Sequence, residues 1–233
     1  MEEKMENQFS TSFKGNFLMA MPILADQNFY QTVTCIWEYT PSGALGIVVN
    51  RVHPTLSGKD IFDELDVEYV PGAESIPIHI GGPVHIGEIF LLHGPPFDWE
   101  GCLMITTSLA MSNTRDILKE VAMGRGPKSF IIALGCAGWG PGQLESEIKQ
   151  NAWLTSPVFE DIIFEIPIET RWEGALNKIG VEPALLLDTA GHAWYLDWDL
   201  LKAIYSLGFF FGLGFFFLRQ TLSFLTKAQS LGL

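Results

Sequence analysis

The run FIIALGCAGWGPGQLESEIKQNAWL, residues 130–154, constrains the fold of this chain more than any other stretch. Phe130 to Leu134 is apolar and rich in strand formers, bounded by Ser129 and Gly135. Gly135, Gly138, Gly140 and Gly142 then fall within eight residues. Such density requires positive φ angles, or a backbone approach too close to admit a Cβ. Pro141 suits the first turn of a helix, where its missing N–H is not needed. Leu144 and Ile148 share one face of that helix, and Gln143 and Glu147 share a neighbouring one. Trp139 and Trp153 bracket the unit, and each indole N–H requires an acceptor once buried. The expected order is buried strand, glycine turn, short helix, strand.

Around this unit the chain reads as a mixture of short elements. Strands are expected over 16–20, 33–39 and 45–50, the last two joined by a hairpin at Pro41-Ser42-Gly43. A short helix over 57–65 would turn Ile61, Phe62 and Leu65 inward, and 68–75 reads as an acidic loop. Strands follow over 76–80, 88–93 and 102–107, the first two separated by Gly81-Gly82-Pro83. Residues 113–123 read as the clearest helix: Asn113 is a suitable N-cap, and Asp116 lies in the first turn where the macrodipole favours it. Gly124 supplies its stop, and Ile117, Leu118, Val121 and Ala122 form its apolar stripe. Residues 161–166 read as a strand and 169–179 as a helix ending at Gly180. Strands and helices do not alternate regularly, so the fold class is α+β rather than doubly wound α/β.

Composition limits the functions open to such a domain. The 233 residues suit one domain plus an appendage, and 48% apolar content supports a sizeable core. A formal charge of −13, with only 14 Lys and Arg, argues against direct nucleic-acid binding through the phosphate backbone. Cys35, Cys102 and Cys136 have no CxxC spacing and read as reduced thiols of a cytoplasmic protein. The opening MEEKMENQFS lacks the apolar core of a secretory signal. Three segments are expected: a flexible N-terminus over 1–14, a domain over 15–193, and an apolar Phe-rich appendage over 194–233. Within the appendage, residues 203–218 are uncharged and flanked by Lys202 and Arg219. Sixteen residues fall short of the ~20 a bilayer span needs. A docked helix, a short membrane anchor and a read-through translation remain alternatives for this appendage, and any membrane contact would run through 203–218.

Several stretches, taken in order, resemble the YqgE/AlgH family of small bacterial proteins. They are GNFLMAMPILADQNFYQTVTCIWEY, GALGIVVNR, IHIGGPVHIGEIFLLH, the long segment from Thr106 to Leu154, and FEIPIETRWEGALNKIG followed by GHA. The chain departs from the family pattern at Cys136, where an aromatic residue is expected, and at Glu88-Ile89-Phe90. The resemblance implies a complex α+β fold with a branched sheet, part of it curled into a small barrel and flanked by short helices. It also implies a regulatory role without an assigned biochemistry, one branch being named for control of alginate synthesis.

No reaction is legible in the residues. GWGPGQ fails GxGxxG because Gln143 replaces the last glycine, and no GK[ST] follows. Cys136, in a turn before a helix, is placed where its pKa could fall, but it has no histidine near it in sequence. His79, His85 and His93 could meet only if their strands are adjacent, and none of the histidines shows metal-ligand spacing. Glu145 and Glu147 point in different directions on their helix and read as a solvated face or a helix-start charge. The expectation is a non-enzymatic cytoplasmic protein that needs no cofactor or metal and works by contact with a protein or small ligand. Asn50, His93, Trp139, Gln143 and Glu145 are the candidate contact residues. The alternatives are a transcriptional regulator touching DNA, and a hydrolase in which His93 meets a carboxylate or Cys136.

Overall fold

The structure, a computed structural model, describes residues 12–24 and 26–186. The chain divides into Met1–Leu187 and Asp188–Leu233, and every described element falls in the first unit. The appendage over 194–233, with its 203–218 run, lies outside the described residues, as does most of the segment over 1–14.

Ten strands form one mixed sheet: β1 (Asn16–Ala20), β2 (Val33–Thr40), β3 (Gly43–Val48), β4 (Val52–Ser57), β5 (Pro77–Ile80), β6 (Val84–His93), β7 (Leu103–Met104), β8 (Ala110–Ser112), β9 (Phe130–Trp139) and β10 (Trp153–Pro157). Short helices accompany them among the described residues: α1 (Gly58–Glu64), α2 (Arg115–Ala122), α3 (Gln143–Lys149), α4 (Glu160–Phe164) and α5 (Arg171–Lys178), and residues 183–186 are helical as well. The order along the sheet is β10-β1-β2-β3-β9-β6-β8-β7, with β5 joining β9 and carrying β4 at its far side. The sheet curls into a half-barrel, and the fold is α+β.

The branch lies on β9. Its first half pairs with β6, antiparallel, and with β5, parallel, Ile78 to Ile80 matching Ile132 to Leu134. Its second half changes partner to β3, Ala44 to Gly46 matching Trp139 to Ala137. Gly81 sits inside the fork: its N–H donates to Leu134 O, and its carbonyl accepts from Val48 N. A Cβ on Gly81 would stand 2.1 Å from the Gly135 carbonyl oxygen, and one on Gly82 2.3 Å from the Ala137 nitrogen. Backbone therefore packs on backbone at this point, which only glycine permits. The strand–turn boundary expected at Gly135 is corrected accordingly. Residues 135–139 continue the strand with Gly135 at φ +69°, and the turn is confined to 140–142.

Both faces of the sheet are covered, so its inner strands read as continuous apolar runs rather than alternating ones. Phe17, Met19, Ile131 and Ala133 meet α4 and α5 on one face. On the other, Leu18, Ala20 and Ala137 meet α3, while Ile78 and Ile132 meet α1 and α2. The stripe on α2 is buried as its 3.6-residue spacing requires, although its N-cap is Thr114 rather than Asn113. Asp60 on α1 accepts from the Ser57 N–H at 2.8 Å, closing the first turn.

Other expectations are corrected. Residues 160–164 are helix α4, because adjacent Ile162 and Ile163 both face the core, which a helix allows and a strand does not. The strand over 102–107 shrinks to Leu103–Met104, since Ile105 and Thr106 turn back to the Leu109 carbonyl. β4 and β8 were not legible: β4 carries Pro54 on a sheet edge, where a missing N–H is tolerated.

Candidate functional site

The glycine turn ends in α3, and α3 carries the densest polar network of the domain. Gly142, at φ +72°, caps the helix, and Pro141 lies just outside it rather than in its first turn. Glu147 Oε2 accepts from the indole N–H of Trp139 at 2.9 Å and from that of Trp153 at 2.8 Å. Its Oε1 accepts from Gln143 Nε2 at 2.8 Å, while Gln143 Oε1 accepts from the Gly140 N–H at 3.0 Å. The two indoles cross edge to face at 5.8 Å, and Phe29 packs against both. Glu145 points the other way and accepts from the Tyr39 hydroxyl, which holds its carboxyl below the usual glutamate range. Glu145, on the same helix, thus pairs separately with Tyr39, while Trp139 and Gln143 belong to one cluster. Glu147, which sequence reasoning left as a solvated carboxylate, is its centre. Two tryptophans flanking a seven-residue helix were the available signal, because two buried N–H donors demand an acceptor.

The other two candidates stand elsewhere. Asn50 is pinned between strands, its Oδ1 accepting from Val33 N and its Nδ2 donating to Gln31 O, both at 2.8 Å. His93 pairs with Phe130 at the opposite end of β9 from Trp139. Nine residues of strand, ~30 Å, separate those ends. His93 is 0% exposed, with Nδ1 at 2.7 Å from the Gly94 carbonyl and Nε2 at 3.0 Å from Ser112 Oγ. The carbonyl fixes the proton on Nδ1, so Nε2 accepts from the serine. This resembles a nucleophile–base pair, but Ser112 is also 0% exposed and no carboxylate orients the ring among the described residues. Burial pushes the His93 pKa down. Cys136 lies in β9, not in a turn, and burial, aided by Glu88, pushes its thiol up to about 11. Cys35 is pushed up to about 12 by burial. Neither thiol is poised as a nucleophile. β5 and β6 pair with β9 on either side of the same residues, so His79 and His93 do not meet, and His85 stands on the exposed outer half of β6.

Two concave sites among the described residues hold an arginine. An open groove of about 400 Å³ is lined by Leu24, Asp26, Gln27, Tyr30 and Arg51. Its guanidinium is already spent on the carbonyls of Gln27, Asn28 and Tyr30, so the groove is a loop braced from below. The second, about 210 Å³, lies between β5, β9, α4 and α5 and is lined by His79, Ile131, Ile163, Phe164, Ile168 and Arg171 among others. Arg171 is 6% exposed and has no carboxylate within ion-pair distance among the described residues. Its Nε donates to Ile166 O at 3.0 Å, and its Nη1 donates to Val49 O and faces His79 Nε2 at 3.4 Å. His79 is 2% exposed. An arginine only donates, so His79 Nε2 accepts and the ring proton sits on Nδ1, which has no hydrogen-bond partner among the described residues. Arg171 sits at the start of a helix expected from sequence, but nothing in the sequence brings it to a histidine 92 residues away.

Burial first, and then the Arg171 guanidinium, push the His79 pKa down to about 4. The unfolded chain binds this proton near pH 6.5 and the folded chain does not, so folding is favoured at neutral pH and disfavoured in acid. Stability should fall by about 3 kcal/mol as the pH drops from 6.5 to 4, at about 1.36 kcal/mol per pKa unit. Urea unfolding across that range should show the slope, and a His79→Gln variant should lose most of it. An unchanged slope would mean that His79 is accessible to protons in the folded chain.

Fold and sites together define a small α+β protein built on one branched, curled sheet, with a closed polar cluster at one end of its central strand and a cavity lined by Arg171 beside α5. A family model described as AlgH-like matches residues 17–184. The chain is 49% identical to a UPF0301 protein of Desulforapulum autotrophicum over 81% of its length and all of the relative. It is 43% identical to a UPF0301 protein of Paracoccus denitrificans, over 79% of this chain and 98% of that one. The solution structure of the AlgH protein from Pseudomonas aeruginosa superposes with a TM-score of 0.65 at 39% identity, covering 81% of this chain and all of that one. A crystal structure from Corynebacterium diphtheriae, at 19% identity and TM-score 0.58, covers 74% of this chain and 88% of that one and shares the fold. The chain belongs to the AlgH-like family.

Proposed function

We propose that this protein is a non-catalytic regulator of the bacterial cytoplasm that works by holding a small molecule in the cavity beside Arg171. One observation carries the reading: the polar groups that chemistry would need are satisfied by the protein itself, whereas the Arg171 cavity keeps an unspent donor, Nη2, with no acceptor among the described residues. His93 and Ser112 satisfy each other, Glu147 is saturated by two indoles and an amide, and the buried thiols are held protonated. A hydrolase needs a reacting group that substrate can reach, and His93 touches neither Cys136 nor a carboxylate among the described residues. Direct DNA contact finds little support either. Lys59, Lys119, Arg125 and Lys178 each sit against a carboxylate, and the whole chain carries −13. Contact with a protein partner is the second reading, favoured by Ile86, which stands 74% exposed on the outer half of β6.

The test is equilibrium dialysis of the full chain against a bacterial small-molecule extract, followed by mass spectrometry. The expected result is a compound retained by the native chain and lost from an Ile168→Trp variant, in which an indole blocks the cavity mouth. Retention of nothing, or release of the compound in chemically altered form, overturns the reading.

A further inference from the structure

The geometry points to a small organic monocarboxylate as the ligand of the Arg171 cavity, an inference that rests on the function proposed above. A guanidinium stays charged even when buried, and a buried charge without a counter-ion is costly. No carboxylate lies within ion-pair distance of Arg171 among the described residues, Glu169 acting on it only from farther off, and its Nη2 has no protein acceptor there. The Ile166 and Val49 carbonyls hold the other two nitrogens, so the group is fixed in place before any ligand arrives. The Nδ1–H of His79 is turned away from this space, because Nε2 is the ring nitrogen that faces the guanidinium, so Arg171 supplies the donor. A carboxylate oxygen accepts a charge-assisted hydrogen bond from the Nη2 that remains.

Size and lining choose among anions. The cavity holds about 210 Å³, room for roughly seven waters at ~30 Å³ each. Its remaining walls include Ile131, Ile163, Phe164 and Ile168, which suit an apolar body rather than a second charged group. No lysine lines it, so a phosphate dianion would lie beside one cation inside a protein of net charge −13. A short branched or single-ring acid satisfies the charge with its head and the walls with its body.

Benzoate, its neutral isostere benzamide and inorganic phosphate are the probes, titrated into the full chain and followed through backbone amide NMR shifts. Benzoate should give saturable shifts at His79, Ile131 and Ile163. Benzamide and phosphate should bind at least tenfold more weakly. Ile168→Trp, which leaves the guanidinium untouched, should abolish the benzoate shifts. Arg171→Lys, which keeps the charge but loses the planar fork, should weaken benzoate at least tenfold. Benzamide or phosphate binding as tightly as benzoate, Arg171→Lys binding unchanged, or no saturable shift at the cavity would each overturn the carboxylate assignment. The two ideas fail separately. A retained extract compound that is neutral leaves the proposed function standing and removes the carboxylate. Saturable benzoate binding with no retained compound keeps the carboxylate selectivity and removes the proposed function.

Discussion

A Gly82→Ala chain should lose about 4 kcal/mol of stability or more, a large part of the ~5–15 kcal/mol a domain of this kind possesses. Two costs add. Gly82 sits at φ +151°, where an L side chain is strained, and its Cβ would stand 2.3 Å from the Ala137 nitrogen and the Cys136 carbonyl carbon. Those atoms belong to the central strand, which is hydrogen-bonded to its neighbours, so they cannot yield as a flexible side chain could. Gly142 is the matched control: it lies at φ +72°, and a methyl added there would meet nothing within 4 Å. Gly142→Ala should therefore cost only the left-handed penalty, roughly 1–2 kcal/mol. Urea midpoints and soluble yield of the two variants measure the difference. Equal costs would mean that the sheet fork does not depend on close backbone approach.

Glu147→Leu should be the second most damaging change, at about 2–4 kcal/mol. It removes the acceptor of two indole N–H groups in tryptophans that are 6% and 3% exposed. Each orphaned buried donor costs ~1–3 kcal/mol, and part of this is recovered because leucine packs well beside the rings. Glu147→Gln keeps one oxygen to face both indoles and should cost about 1 kcal/mol, the difference between a charge-assisted bond and a neutral one. Denaturation curves give the magnitudes, and tryptophan emission should shift to longer wavelength only in the leucine variant. A harmless leucine substitution would show that the indoles find water instead.

The helices with long apolar stripes were readable because their burial is a local periodicity. Ile117, Leu118, Val121 and Ala122 face inward for the reason their spacing gives. The hairpin between β2 and β3 was readable through Pro41-Ser42-Gly43. Residues 160–164 misled, because a short apolar run has no period of its own and only its neighbours choose between helix and strand. Glycine density announced close approach correctly at Gly135, but not that Gly81 and Gly82, far earlier in the chain, were what approached it.

The candidate site divides in the same way. Trp139 and Gln143 are close in sequence and fall together, and Glu145 shares their helix but turns to Tyr39. Asn50 and His93 were joined to them only by pattern, and the sheet places His93 at the far end of β9. Arg171, His79 and Glu147 were passed over because an isolated arginine, histidine or glutamate looks like any other until its partners are known.

By itself the sequence determined the class of fold, the resemblance to a family, and that backbone approaches backbone at Gly135. These properties depend on hydrophobic spacing, on glycine's freedom and on residue order, all of which are local. Only the tertiary structure decided where the unspent polar groups lie. An arginine is satisfied or deprived by what other segments bring to it, and at Arg171 the described residues bring two carbonyls and an imidazole but no carboxylate at ion-pair distance.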